Sequence, residues 1–247
     1  GLWKLKKEYY LQQVPAIPAA SQVRFVISGE VCTIYKKEGR TRKVHHLILL
    51  PGLEAADQLA ARLEKNGNIA ANGRPIFNLD SRDLLEITLE VSPETIFIPA
   101  HIWTPHFSVF GMNSNFNTLQ ECYEDLTDEI HALETGLSSD PPMNRRLSMF
   151  DDYAFISNSD AHSPQKLGRE ANLFDCAPSF GALREALKKP FPGFLGTVEF
   201  FPEEGKYHWD GHRACGLRWH PFQTMEAGGK CPTKGNSRGA SSPGGSC

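Results

Sequence analysis

The run Tyr153-Ala154-Phe155-Ile156 passes directly into Ser157-Asn158-Ser159-Asp160-Ala161-His162-Ser163-Pro164. A short apolar stretch opening into Asp-x-His is a strand whose exit carries a carboxylate and an imidazole. Residues two apart in extended chain share a face, so Asp160 and His162 are expected to point the same way. Comparable residues recur upstream. Residues 95–98 read as a strand leading to His101, and residues 130–134 as one ending at Glu134. Glu30 lies within a stretch rich in β-formers, residues 24–35, and His45 and His46 head a second one, residues 44–50.

Between these runs the period changes to that of helices. Leu53, Ala56, Leu59, Ala60 and Leu63 share one helical face, with Gly67 as a stop, and residues 81–91 suit a second helix capped by Asp80 or Ser81. Thr118-x-x-Glu121 is a capping-box signature for a short helix to about residue 126. Residues 142–147 predict another short helix, Ser179 caps one running to residue 188, and residues 195–201 predict a final strand. This alternation predicts an α/β architecture with mostly parallel strands. The composition shifts near residue 205, where a domain boundary is expected. From Gly235 the chain is rich in Gly and Ser and is expected to be disordered.

The net charge of −3 over 247 residues provides no global attraction for nucleic acid. Bound divalent cations could still supply local positive charge. No apolar run approaches the roughly 18 residues of a membrane-spanning helix, and residues 1–7 lack the apolar core of a signal peptide, so a cytoplasmic protein without a membrane partner is expected. Of the six cysteines, Cys32, Cys122 and Cys176 sit alone in apolar or amphipathic surroundings and read as buried thiols.

A mixed carboxylate and imidazole set at strand exits suits a divalent cation such as Zn, Mn or Fe. Any one of these residues alone has a plainer explanation: a histidine after a strand is more often a hydrogen-bonded structural residue than a ligand. Their recurrence at strand ends favours a metal site. His45 and His46 are adjacent and face opposite ways, so at most one is expected to serve.

Longer motifs carry a resemblance. Val44-His45-His46-Leu47, residues 80–87, residues 99–105, residues 134–141 and residues 157–164 closely resemble the endonuclease Q family of the polymerase-and-histidinol-phosphatase (PHP) superfamily, and residues 166–172 and 199–208 continue the match. The resemblance covers about residues 24 to 232. It implies a distorted β/α barrel of PHP type holding divalent metals (Zn, Mn or Mg), and a DNA-repair endonuclease that nicks 5′ of deaminated bases such as uracil or hypoxanthine, or of abasic sites. Glu30, His45 or His46, His101, Glu134, Asp160 and His162 fall on metal-ligand positions of the family, with Asp160, His162 and Glu134 as its catalytic residues. A PHP-type phosphatase acting on a small phosphorylated substrate, or a non-catalytic remnant, are the competing expectations.

The chain departs from the pattern at both ends. PHP proteins open with a strand carrying His-x-His, whereas the first histidine here is His45. The resemblance therefore implies an incomplete barrel at residues 1–204, inactive or poorly folded alone. The family's zinc knuckle has two Cys-x-x-Cys pairs. Here the expected degenerate knuckle, residues 205–234, keeps only Cys215 and Cys231, with His212, His220 and Cys247 as conceivable substitutes; two sulfur donors are half of a structural zinc set. Residues 235–247 form the expected tail. His106 and Arg145 stand where the family carries aromatic residues, leaving Trp103 and Phe107 as nearby candidates for base stacking.

Overall fold

The computed structural model describes residues 24–69, 74–205, 208–212 and 215–232. Residues 1–7, Cys247, the His212 side chain and the Gly/Ser-rich tail lie outside the described residues. The fold is built on one hairpin. Strand β1 (Ile27–Lys37) pairs antiparallel with β2 (Arg40–Leu50) along their whole length, Ile27 opposite Leu50 and Lys37 opposite Arg40. The turn is Glu38-Gly39, both at positive φ (52° and 75°), the left-handed pair whose twist matches the flanking strands.

Strand alternation gives the hairpin two different faces. Val44, His46, Ile48 and Leu50 of β2, with Val31 and Tyr35 of β1, are buried. They join a core with helix α1 (Leu53–Leu63), which buries Ala56, Leu59 and Leu63, and helix α2 (Ser81–Val91), which buries Leu84 and Leu85. Asp80 caps α2 by accepting from the Arg82 amide, the bond its sequence position predicts. The opposite face carries Glu30, His45, Leu47 and Leu49.

Strand β4 (Ile96–Pro99) adds antiparallel to β2, with Leu47 opposite Ile98 and Leu49 opposite Ile96. The two-residue strand β3 (Ile76–Phe77) adds parallel to β1 on the other side, giving the order β3-β1-β2-β4. Helix α3 (Leu119–Tyr123) follows. Its Thr118 hydroxyl accepts from the Glu121 amide, while the Glu121 carboxylate takes the Asn117 amide, so the capping box is only half formed.

Strands β5 (Ala132–Glu134) and β6 (Ala154–Ile156) pair parallel, flanking helix α4 (Pro141–Asn144). The Ile102 amide donates to the Glu134 carbonyl, which ties the exit of β4 to β5. Ile96, Ile98, Ala132, Ala154 and Ile156 form a second core under Leu47 and Leu49. Strands β7 (Ala171–Phe174) and β8 (Phe194–Val198) pair antiparallel around helix α5 (Phe180–Ala186), which Ser179 caps. Beyond residue 205, β9 (Asp210–His212) and β10 (Leu217–Trp219) form a small hairpin, followed by helix α6 (Pro221–Glu226).

The expectation of mostly parallel strands is corrected. β1/β2, β2/β4, β7/β8 and β9/β10 are antiparallel; only β1/β3 and β5/β6 are parallel. Periodicity identifies strands but not their direction, and the two-residue Glu38-Gly39 turn admits only an antiparallel return. The fold is mixed α/β, and the described strands fall into one four-stranded and three two-stranded sheets. Cys32 and Cys122 are buried as expected, whereas Cys176 is half-buried. Among the described residues, no helix is long and apolar enough to cross a membrane.

Phe155 joins the first core with its ring edge-to-face on Phe150, centroids 5.8 Å apart. Phe155→Ala is expected to cost about 3–5 kcal/mol, read as a lowered denaturation midpoint with an unchanged denaturant dependence.

Candidate metal centre

The exits of β4, β5 and β6 lie over the site-bearing face of the hairpin. Glu30, His101, Glu134, Asn158 and Asp160 line a common cavity of about 290 Å³, floored by Leu47 and Leu49. At its inner end, Glu30, His45 and His101 bring one donor atom each within 4.8 Å of one another. His45 Nδ1 is 2.9 Å from His101 Nε2 and 3.1 Å from Glu30 Oε1, and His101 Nε2 is 3.9 Å from Glu30 Oε1. Donors around a cation bonded at about 2.1 Å are separated by roughly 3–3.4 Å, so the set is close to a ligand polyhedron. Glu30 Oε1 is buried without a hydrogen-bond partner among the described residues. A buried carboxylate oxygen left in that state is costly unless something positive fills the gap.

Glu134 orients His101. Its Oε2 accepts from the His101 amide at 2.8 Å and lies 3.1 Å from His101 Nδ1, while its Oε1 accepts from Asn158 Nδ2 at 2.8 Å. A proton on His101 Nδ1 leaves Nε2 as the free lone pair, the carboxylate–imidazole arrangement that supports histidine ligation. The His45 ring is held flat by Phe107, stacked at 4.7 Å and 19°. Two cavity residues have strained backbones: His101 has φ 31° and Asp160 φ 41°. Left-handed conformations at residues other than glycine persist only where surrounding structure enforces them, and they gather at functional sites.

Charge distribution follows burial and neighbours. Burial acts to raise the Glu30 pKa, but the close His45 imidazole and the His101 and Arg74 charges outweigh it and hold the carboxyl at about 2. Burial lowers the His45 pKa to about 4, against the Glu30 contact, so its imidazole is neutral near pH 7. Burial also opposes charge on His101, yet the hydrogen bond to Glu134 and the surrounding carboxylates raise its pKa. Burial raises the Asp160 pKa.

The remaining sequence candidates lie elsewhere. His46 points into the helix-covered core. Its Nε2 is 3.0 Å from Thr33 Oγ1 and its Nδ1 is 3.2 Å from Tyr123 Oη, so it is a hydrogen-bonded core histidine. Asp160 is left-handed rather than extended, yet its Oδ1 still lies 3.9 Å from His162 Nδ1. The His162 side chain is 80% exposed, its Nδ1 on the Asp160 carbonyl at 2.8 Å. Cys215 and Cys231 approach to 3.9 Å between sulfurs, while His220 Nδ1 caps α6 by accepting from the Phe222 amide. Trp103 packs on Phe110 and Phe150 and donates to Asn144, and Arg145 lies over Phe155. Sequence reasoning missed Arg74, whose Nη2 is 2.7 Å from Glu30 Oε2 and whose Nη1 is 3.1 Å from His45 Nε2. No local signal marks that arginine.

The fold and donor set thus define a mixed α/β protein with a candidate divalent-cation site at converging strand exits. No family model matches the chain. It is similar to an uncharacterized protein of Bacillus subtilis, YqxK, 32% identical over 202 residues (77% of this chain, 48% of that protein). A second relative is the uncharacterized MJ0043 of Methanocaldococcus jannaschii, 28% identical over 162 residues (60% of this chain, 20% of that protein). Among solved structures, the lesion-specific endonuclease PfuEndoQ from Pyrococcus furiosus superposes with a TM-score of 0.68 at 27% identity, over 86% of this chain and 52% of that one. Endonuclease Q in complex with a 27-mer duplex substrate carrying an abasic lesion at the active site superposes at 0.67, with the same identity and coverage. Both superpositions support assigning the chain to the endonuclease Q family. It spans about half the length of the Bacillus relative and of the solved structures, and a fifth of the Methanocaldococcus relative.

Two predictions follow from local geometry. Gly136 has φ 63°, and a Cβ there would lie 2.5 Å from His101 Cβ. Gly136→Ala should destabilise by about 1–3 kcal/mol and shift the His101 imidazole resonances in NMR. Burial holds His46 at about 3 against an ordinary 6.5, so between those values the unfolded chain binds the extra proton. Its stabilising contribution is complete above pH 6.5 and is lost as pH falls toward 3. His46→Gln should flatten the fall in melting temperature across that window.

Proposed function

We propose that Glu30, His45 and His101 hold a divalent cation and that the site serves cleavage of a DNA strand beside a damaged nucleotide. The observation that carries this reading is the orphaned Glu30 Oε1 facing two imidazole nitrogens, in a chain whose fold matches a lesion-specific endonuclease. One carboxylate and two imidazoles suit Zn or Mn better than Mg, which prefers oxygen donors. A cation there would supply neutralisation of charge on a phosphate oxygen and activation of water.

The protein's own residues prepare that chemistry. Glu134 sets the His101 tautomer, Phe107 fixes the His45 ring, and Asp160 presents a third carboxyl to the cavity. The His162 side chain, 80% exposed and 3.9 Å from Asp160 Oδ1, would be open to a substrate. The lesions in view are abasic sites and the deaminated bases uracil and hypoxanthine. Withdrawing such a nucleotide from the stack costs least where pairing is already weak. Residues up to 204 would form the catalytic unit on a PHP-type barrel, with residues 205–234 as a reduced knuckle in which Cys215 and Cys231 supply two sulfur donors.

The test is cleavage of duplexes carrying one abasic site, uracil or hypoxanthine by this chain, with Mn²⁺ or with chelator. Metal-dependent nicking 5′ of the lesion is expected. Asp160→Asn should slow it roughly a thousandfold, equivalent to several kcal/mol of barrier, at an unchanged melting temperature. Full cutting by Asp160→Asn would remove that residue from the mechanism. Phosphate release from small esters without DNA cutting would mark a phosphatase instead.

A further inference from the structure

Arg74 stands against the cation site without belonging to the donor set. Its position follows from strand pairing. Parallel β1/β3 register sets Cys32 opposite Ile76, and the Cys32 amide donates to the Pro75 carbonyl at 2.9 Å. Two residues back along both strands, Arg74 falls beside Glu30. One prong of the guanidinium meets Glu30 Oε2 at 2.7 Å and another meets His45 Nε2 at 3.1 Å. The third nitrogen, Nε, is buried without a hydrogen-bond partner among the described residues.

We propose that Arg74 is the internal counter-ion of the site: in the metal-free protein it neutralises Glu30 and fixes His45, and a divalent cation binds by displacing it. The inference rests on the cation-site reading above. Glu30 is the sole carboxylate of the three-donor group. Among the described residues, Arg74 is the only arginine or lysine in an ion pair with Glu30, and it lies closer than either imidazole's 3.1 or 3.9 Å approach to Oε1. The guanidinium on Oε2 draws off the negative charge of the carboxylate and repels a cation brought to Oε1, so the two compete electrostatically. The cost of the buried Nε favours release of the guanidinium once Glu30 has another partner.

The probe is Mn²⁺ alone, followed by loss of the free-ion EPR signal, with thermal melting of the full chain as a separate readout. Hydrogen bonds to charged groups contribute about 1.5–3 kcal/mol. Arg74→Gln should therefore bind Mn²⁺ roughly ten- to a hundredfold more tightly than the native chain. Without metal, Arg74→Gln should melt lower than the native chain, and saturating Mn²⁺ should close that gap. Arg74→Lys keeps a cation but loses the fork. Its affinity should fall between the two, and it serves as the comparison if Arg74→Gln does not fold. Equal or weaker Mn²⁺ binding by the folded variants would overturn the counter-ion role and leave the cation site standing. Absence of Mn²⁺ binding by native chain and variants alike would overturn both.

Discussion

Pairing β1 with β2 across Glu38-Gly39 decides which side chains can meet. The register sets Cys32 opposite His45 and Glu30 opposite Leu47, so Glu30 and His45 emerge on one face, two residues apart across the ladder. A slip of one residue would send His45 into the helix-covered core and bring His46 out. The slip is blocked because Val44, His46, Ile48 and Leu50 already fill the space under α1 and α2. Hydrophobic burial on one face thus positions polar chemistry on the other. His46 shows the consequence: identical to its neighbour, it is bound to Thr33 and Tyr123 and takes no part in the site.

The second determinant is the polar clamp at the strand exits. His101 and Asp160 occupy backbone conformations costing of order 1–3 kcal/mol each. At His101 the strain is offset by the bond from its own amide to Glu134 Oε2. Asn158 and Asn172 continue the network, Asn172 donating both to Asn158 Oδ1 at 3.2 Å and to the Ser157 carbonyl at 2.9 Å. Satisfied networks of this kind fix side-chain positions more firmly than any single pair. They hold the imidazole of His101 ready for a cation.

Electrostatics unify the site. The chain carries a net charge of only −3, and a local excess of carboxylate gathers where Glu30, Glu134 and Asp160 line one cavity. Arg74, two residues ahead of β3, partly balances that excess. Likeness to the endonuclease Q structures gives that arrangement its context.

Much of this was legible in the sequence, because local physics settles it. The strand at β6, the helices α1 and α2, the Asp80 and Ser179 caps and the opposed faces of His45 and His46 follow from periodicity and hydrogen-bonding chemistry within a few residues. The motifs around His101, Glu134 and Asp160 also carried the family resemblance. Strand direction was not legible, since apolar period is the same in parallel and antiparallel pairs. Nor was the exposed placement of His162 beside a left-handed Asp160, nor the presence of Arg74, set just ahead of a two-residue strand and 44 positions from Glu30. The sequence by itself determined which chemical groups were available and which face of each element they occupy. Tertiary structure alone decided which groups come within bonding distance, because convergence depends on register and long-range packing that no local window of residues contains.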